Sequence, residues 1–207
     1  MAKAPGVFPF WQIFLLIVVY LMGSVPFGQL VSRRYGVDLS KRGSGNTGAA
    51  NAARSLGAKA GLQVLALDAG KGAAAVLLAY FALLPGVLLP LTKAVFGLTA
   101  IVGHNYSVFR RFKGGKGIAT TFGVVAVLCP QAALLAGLLW VGLVGLTRFS
   151  SVGSLVSTAA MPLLMIVYGA PLVYVVFGFA AAGLAFLRHR DNLERLVEGR
   201  ELKIDEA

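Results

Sequence analysis

Three short segments hold most of the residues in this sequence that can act on a substrate. The first, GSGNTGAANAARSLG at 43–57, combines Gly43, Gly45 and Gly48 with Ser44, Asn46, Thr47, Asn51 and Arg54. Glycines let a ligand approach the backbone closely, and successive N–H groups in such a turn form a concave anion site. The small polar side chains add hydrogen bonds, and Arg54 offers a fork to phosphate or carboxylate. The second segment, at 103–120, ends in Gly114-Gly115-Lys116-Gly117-Ile118-Ala119-Thr120. Glycines, a lysine and a helix start resemble a phosphate loop. The full G-x-x-x-x-G-K-[ST] spacing and a βαβ setting are both missing, so nucleotide hydrolysis is rejected. Anion capture at a helix N-terminus, with Lys116 as a point charge, remains. The third, RHRDNLERLVEGRE at 188–201, sets Arg188, Asn192 and Arg195 at i, i+4, i+7 on one face of one predicted helix, with His189 beside them.

Each segment also has a plainer reading. The first is a flexible membrane-exit loop, the second a basic surface for acidic lipid, the third an interfacial helix seating Leu193, Leu196 and Val197. His104, alone near a predicted helix end, reads as structural. Asp68 and Lys71 lie inside an apolar run, where charge is costly and is paired or functional. Their i, i+3 spacing allows a mutual pair. They are expected toward the cytoplasmic end of their span, either tying helices together or touching ligand.

The elements that carry these segments are membrane helices. Hydrophobic residues make up 57% of the 207 and charged residues 13%, with a mean hydropathy of +0.80. Soluble domains carry about 25% charge. Apolar runs fall at 8–30, 61–84, 87–102, 118–128, 131–146, 152–168 and 171–187. Soft breaks at Pro85/Pro90, Cys129-Pro130 and 169–171 each contain a proline. Keeping every break predicts an all-α polytopic protein of about seven spans; fusing the last four runs into two gives five. Some runs are shorter than the roughly 20 residues of a full span, as short or re-entrant helices are.

The net charge of +11 comes from residues clustered between these runs. Arg33, Arg34, Lys41, Arg42, Arg54 and Lys59 precede the second run; Arg110, Arg111, Lys113 and Lys116 precede the fourth. Arg188, Arg190, Arg195, Arg200 and Lys203 follow the last. With seven spans, all of these and Arg148 share one side, leaving Lys3 and Lys93 on the other. By the positive-inside rule the crowded side is cytoplasmic, with the N-terminus outside and the C-terminus inside. The pattern is that of a membrane protein, not of a nucleic-acid binder. Cys129 is the only cysteine, so an intrachain disulfide and a Cys/His metal cluster are excluded. The chain reads as one domain, 1–207, with its first apolar run retained rather than cleaved. Several anion-binding elements thus meet on one membrane face, and the partner they suit carries phosphate.

With these motifs in place, the chain resembles the bacterial acyl-phosphate:glycerol-3-phosphate acyltransferase family, the PlsY type. The family pattern G-S-G-N-x-G-x-T-N-x-x-R resembles 43–54. G-H-x-x-P-x-F-x-x-F-x-G-G-K-G-x-A-T resembles 103–120, and R-H-R-x-N-x-x-R-L-x-x-G-x-E resembles 188–201. D-x-x-K-G resembles Asp68 to Gly72. Order and spacing agree from Gly23 to Glu201. Ala50 replaces the usual Thr, removing a hydroxyl, and Ser107 replaces the usual Pro, which should loosen the turn after His104.

The resemblance implies transfer of a fatty acyl group from acyl phosphate to glycerol 3-phosphate. The products are 1-acyl-glycerol 3-phosphate (lysophosphatidic acid) and phosphate, in the first acylation of bacterial phospholipid synthesis. It implies activity roles for Ser44, Arg54, His189 and Asn192. Gly114, Gly115, Lys116 and Gly117 would hold glycerol 3-phosphate, with Gly43, Gly45, Asn46 and Thr120 as further phosphate contacts. Asp68, Lys71, His104, Arg188 and Glu201 are substrate or structural residues, Glu201 being structural in the family. The base is His189 or an oxygen of the acyl phosphate. No metal, cofactor, nucleic acid or obligate protein partner is implied; membrane lipid is, in the bacterial inner membrane with the site facing the cytoplasm. The H-x4-D motif of acyl-CoA-dependent acyltransferases is absent from the sequence. A transporter of phosphorylated solutes would show repeated halves and midplane sites, and a CDP-alcohol phosphotransferase several metal-binding aspartates; neither pattern is present.

Overall fold

The computed structural model describes residues 10–82 and 88–206, and every regular element in it is a helix. Lys3, Pro85 and the run ends at Phe8, Leu84 and Val87 lie outside the described residues. The helices are α1 (Phe10–Ser24), α2 (Phe27–Arg34), α3 (Ala49–Leu56), α4 (Ala58–Leu78) and α5 (Leu88–Asn105). They continue as α6 (Ile118–Leu128), α7 (Pro130–Thr147), α8 (Ser150–Val167), α9 (Leu172–Arg188) and α10 (Arg190–Val197).

Sequence punctuation sets most boundaries. Pro26 separates α1 from α2. Gly57, at φ +92°, closes α3 and opens α4. Cys129 is extended and ends α6, and Pro130 occupies the first position of α7, where its missing N–H costs nothing. The α7–α8 turn uses Arg148 at φ +67°, unusual for a residue with a side chain. Pro162 lies inside α8 without ending it, and Gly169 with Pro171 turns α8 into α9. The pairs considered for fusion, α6 with α7 and α8 with α9, are therefore separate helices that pack on each other.

By length and composition, four units among the described residues can cross a bilayer: Phe10–Arg34, Ala58–Ala82, Pro130–Thr147 and Ser150–Val167. A fifth exists if the bent pair α9–α10 counts as one. At 1.5 Å per residue α6 spans only about 16 Å, half of a ~30 Å hydrocarbon core. Leucines and valines such as Leu62, Leu134, Val141, Leu163 and Leu172 lie exposed along the long helices, as lipid-facing residues do.

With no hydrophobic drive between helices in lipid, small residues let them pack closely. A methyl group on Gly72 would lie 2.2 Å from the Thr120 carbonyl, and one on Gly123 1.8 Å from that of Ala69, so α4 and α6 run in backbone contact. α1 crosses α5 the same way, at Gly23 and Ala100. The central core gathers Val124, Val125, Ala132, Met161, Met165 and Phe177 from α6 to α9.

Asp68 lies buried within α4. Two expectations are corrected here. The helix expected to carry Arg188, Asn192 and Arg195 on one face breaks at His189 and bends by 59°. Arg188 therefore sits on α9, the other two on α10. Ser107 does not loosen its turn: its buried hydroxyl donates to the Ser24 carbonyl at 2.6 Å, and its own carbonyl accepts from the Arg110 and Phe112 amides.

Candidate active site

The first loop is folded around one side chain. Asn51, buried at the start of α3, faces its amide nitrogen to the carbonyls of Leu39, Arg42 and Asn46 at 3.2, 3.0 and 2.7 Å. Its oxygen accepts from the Ser44 amide at 3.1 Å. Gly43 must be glycine: φ is +52°, and a Cβ would lie 2.3 Å from the Asn51 oxygen. Asn51 is thus an organiser of the loop rather than a ligand-facing group. The Asn46 side chain accepts from the Gly48 amide. Ser44 is left half-exposed, its hydroxyl without a partner among the described residues. Thr47 ties this loop to the second one, its hydroxyl accepting from Arg110 at 2.8 Å.

The glycine loop is packed more tightly than its composition suggested. The Gly114 and Gly115 amides donate inward, to the carbonyls of Asn105 and His104, each at 3.1 Å. A Cβ on Gly114 would lie 2.0 Å from the His104 carbonyl, and one on Gly115 2.3 Å from the His104 ring nitrogen Nε2. The carbonyls of Gly114 and Gly115 accept from Arg188 at 3.0 and 3.1 Å. The Gly114 and Gly115 amides are thus spent within the chain. Gly114 and Gly115 are glycines because the loop lies against α5. The amides with no partner among the described residues are those from Lys116 into the first turn of α6. Thr120, expected to contact phosphate, has no exposed surface and sits at the α4–α6 crossing.

The third segment meets the second through side chains. Lys116 Nζ donates to the Asn192 oxygen. The Asn192 nitrogen donates to Glu201 at 2.6 Å. The nearly enclosed Glu201 carboxylate also accepts from Ser151 and from Arg195, both at 2.9 Å. Burial pushes the Lys116 ammonium down to about 8. His189 is buried in the break between α9 and α10. Its Nδ1 lies 2.7 Å from the Ala185 carbonyl, so that nitrogen carries the proton and Nε2 keeps its lone pair. Burial first, then neighbouring Lys116, lowers its pKa to about 4. Arg54 donates from Nε to the Lys203 carbonyl at 2.9 Å and from its NH2 group to that of Leu202 at 3.3 Å. Three of its five N–H donors remain.

A second cluster lies deeper. Asp68 and Lys71 are paired at 2.8 Å with side chains 3% exposed, and His104 is 3.5 Å from the same carboxylate. Lys71 also donates to the Val25 carbonyl at 2.9 Å. These residues line a cavity of about 10 Å³ with Ser24, Thr47, Arg110, Gly114 and Gly115, room for about one water. Ser151 and Arg110 had no place among the expected site residues. A serine at the start of an apolar helix gives no periodic signal, and Arg110 is one of several basic residues in its loop.

The chain is similar to known proteins along almost its whole length. The family model described as glycerol-3-phosphate acyltransferase matches residues 13–199. A glycerol-3-phosphate acyltransferase 2 of Moorella thermoacetica is 45% identical over 192 residues, covering 92% of this chain and 96% of its own. A glycerol-3-phosphate acyltransferase of Thermus thermophilus is 45% identical over 195 residues, covering 94% and 96%. The crystal structure of PlsY (YgiH), an integral membrane glycerol 3-phosphate acyltransferase, is similar with a TM-score of 0.86 in its glycerol 3-phosphate form. Identity there is 38%, covering 93% of this chain and 95% of that one. The lysophosphatidic acid form of PlsY gives 0.85 at 37% identity.

Proposed function

The chain belongs to the glycerol-3-phosphate acyltransferase family of the PlsY type, and from that premise we propose that it transfers a fatty acyl group from acyl phosphate to glycerol 3-phosphate. The observation that carries this reading is the joining of all three polar segments around two cations, Lys116 and Arg54. Two substrates that each bear a phosphate need such a cluster.

The chemistry asks little more than positioning and charge neutralisation. Acyl phosphate is a mixed anhydride whose leaving group is already good. The glycerol 3-phosphate hydroxyl attacks the acyl carbon, the new C–O ester bond forms, and the bond to phosphate breaks. The hydroxyl proton goes to the departing phosphate. His189 is a poor base at about 4, since an efficient base lies near the working pH; its Nε2 instead accepts a hydrogen bond from substrate. Arg54, Lys116 and the first amides of α6 hold phosphate charge. Ser44 orients phosphate through its hydroxyl, with Gly43, Gly45 and Asn46 shaping that loop. Asn192 aims Lys116, Glu201 aims Asn192, and Arg188 fixes the glycine loop. Asp68, Lys71 and His104 are structural.

The single domain sits in the bacterial inner membrane through seven apolar helices, α1, α4, α5, α6, α7, α8 and α9. This puts the N-terminus outside and the C-terminus and site in the cytoplasm, in support of which Arg148 and the three basic segments then share one side. The acyl chain stays among the helices while its phosphate faces the cytoplasm. The test is purified protein in chelator-treated buffer with palmitoyl phosphate and glycerol 3-phosphate. Stoichiometric lysophosphatidic acid and phosphate are expected; robust turnover with acyl-CoA as sole donor contradicts the reading.

A further inference from the structure

The tail beyond Glu201 lies past residues 13–199, which the family model matches. In the sequence it is a charged run with no motif. In the structure its backbone is fixed at both sides of a single turn. On one side, the Leu202 and Lys203 carbonyls accept from Arg54. On the other, the Ile204 amide donates to the Arg148 carbonyl at 2.8 Å, and Asp205 pairs with the Arg148 guanidinium. Arg148 is the left-handed residue of the α7–α8 turn, so the tail is clamped to a rigid corner of the helix bundle.

A guanidinium has a planar, forked donor set, and fixing two of its donors fixes the direction of the rest. The residue just before these carbonyls, Glu201, holds Asn192 and through it Lys116. Both cations of the site are therefore held by three consecutive residues. We propose that residues 202–205 are a positioning strap. The Leu202 and Lys203 carbonyls aim Arg54 at the substrate phosphate, and the Arg148–Asp205 clamp holds the strap in register. The inference rests on the role given to Arg54 under Proposed function.

The test compares full-length protein with a chain ending at Glu201, each with Arg54 intact and as Arg54→Lys, which keeps the charge but loses the fork. Initial rates are measured with palmitoyl phosphate and glycerol 3-phosphate, and unfolding temperature is followed in detergent. Losing the aim of one charge-assisted contact should lower kcat/KM about tenfold or more, with a raised KM for a phosphate-bearing substrate. In the Arg54→Lys background the same truncation should change kcat/KM less than about twofold, because the fork it positions is already gone. Asp205→Ala in the full chain, which only opens the clamp, should give a smaller shift in the same direction. It serves as the test if the truncated chain does not fold. Rates within twofold of the full chain, a gain in rate on truncation, or an equal loss in both backgrounds would overturn the strap. Full activity in Arg54→Ala would instead overturn the role of Arg54.

Discussion

Two clusters of charge adjoin the glycine loop, and they differ in how their charge is closed. The deeper one sets a single ammonium, Lys71, against a single carboxylate, Asp68, with His104 on the same oxygen and the Val25 carbonyl taking a further N–H. The unit charges of the pair cancel. The outer one gathers Lys116, Arg54 and Arg195 around one enclosed carboxylate, Glu201, whose oxygens are already taken, with Asp191 and Glu206 as further acidic neighbours. Donors are left on Arg54. The same residue types thus build a closed pair that holds helices and an open cluster with donors to spare. The closed cluster should fail in stability when cut, and the open one in catalysis.

The largest effect belongs to the closed pair. Asp68→Ala leaves Lys71 buried and unpaired, which should destabilise the protein by about 3–5 kcal/mol. The measurement is unfolding temperature in detergent, with activity normalised to folded protein. Removing both charges together should recover much of that loss, because an apolar replacement of a buried pair is tolerated. A stable but inactive Asp68→Ala protein would move this pair into the active site.

Next come Arg54→Ala and Ser44→Ala. Each removes one contact to charge in the transition state and should cost about 2–4 kcal/mol there, or roughly 30- to 1,000-fold in kcat/KM. The unfolding temperature should move little. A large loss of stability with near-normal specific activity would erase the contrast between the clusters.

Smaller again is a pH effect on the open cluster. Lys116 titrates at about 8, lowered by burial, so the free enzyme loses this positive charge as pH rises through that value. Anion binding should weaken on the alkaline side, with kcat/KM falling at most about tenfold per pH unit above it. In Lys116→Arg the charge persists to high pH, and the alkaline fall near pH 8 should vanish from a profile taken between about pH 6.5 and 9.5. An unchanged fall would assign it to another group.

Smallest is Ser107→Ala. It removes the hydrogen bond to the Ser24 carbonyl and should cost about 1 kcal/mol of stability, with kcat/KM unchanged. An altered KM would show that the turn after His104 shapes the substrate site as well.

These contrasts were legible in the sequence only in part. The helices were readable because lipid demands long apolar runs and prolines mark their breaks: 118–128 in the sequence is α6 in the structure. The three polar segments read as neighbours from the one-sided distribution of Lys and Arg. Whether a glycine serves a ligand or a neighbouring helix was not readable. Gly114 and Gly115 lie against α5, while Gly43 makes way for Asn51, yet all three look alike in sequence. The break at His189 was hidden because its residues continue a helical spacing. The tail carried no signal at all, since backbone carbonyls recruit Arg54 there and any sequence supplies those.

The central claim is that the open cluster orients two phosphate-bearing substrates for direct transfer. The most direct test is rapid quench of wild-type protein with palmitoyl phosphate alone, read by intact and peptide mass spectrometry, followed by addition of glycerol 3-phosphate. The account predicts no acyl adduct before the addition, and lysophosphatidic acid with phosphate after it. A palmitoyl group on Ser44 that chases into product would contradict it.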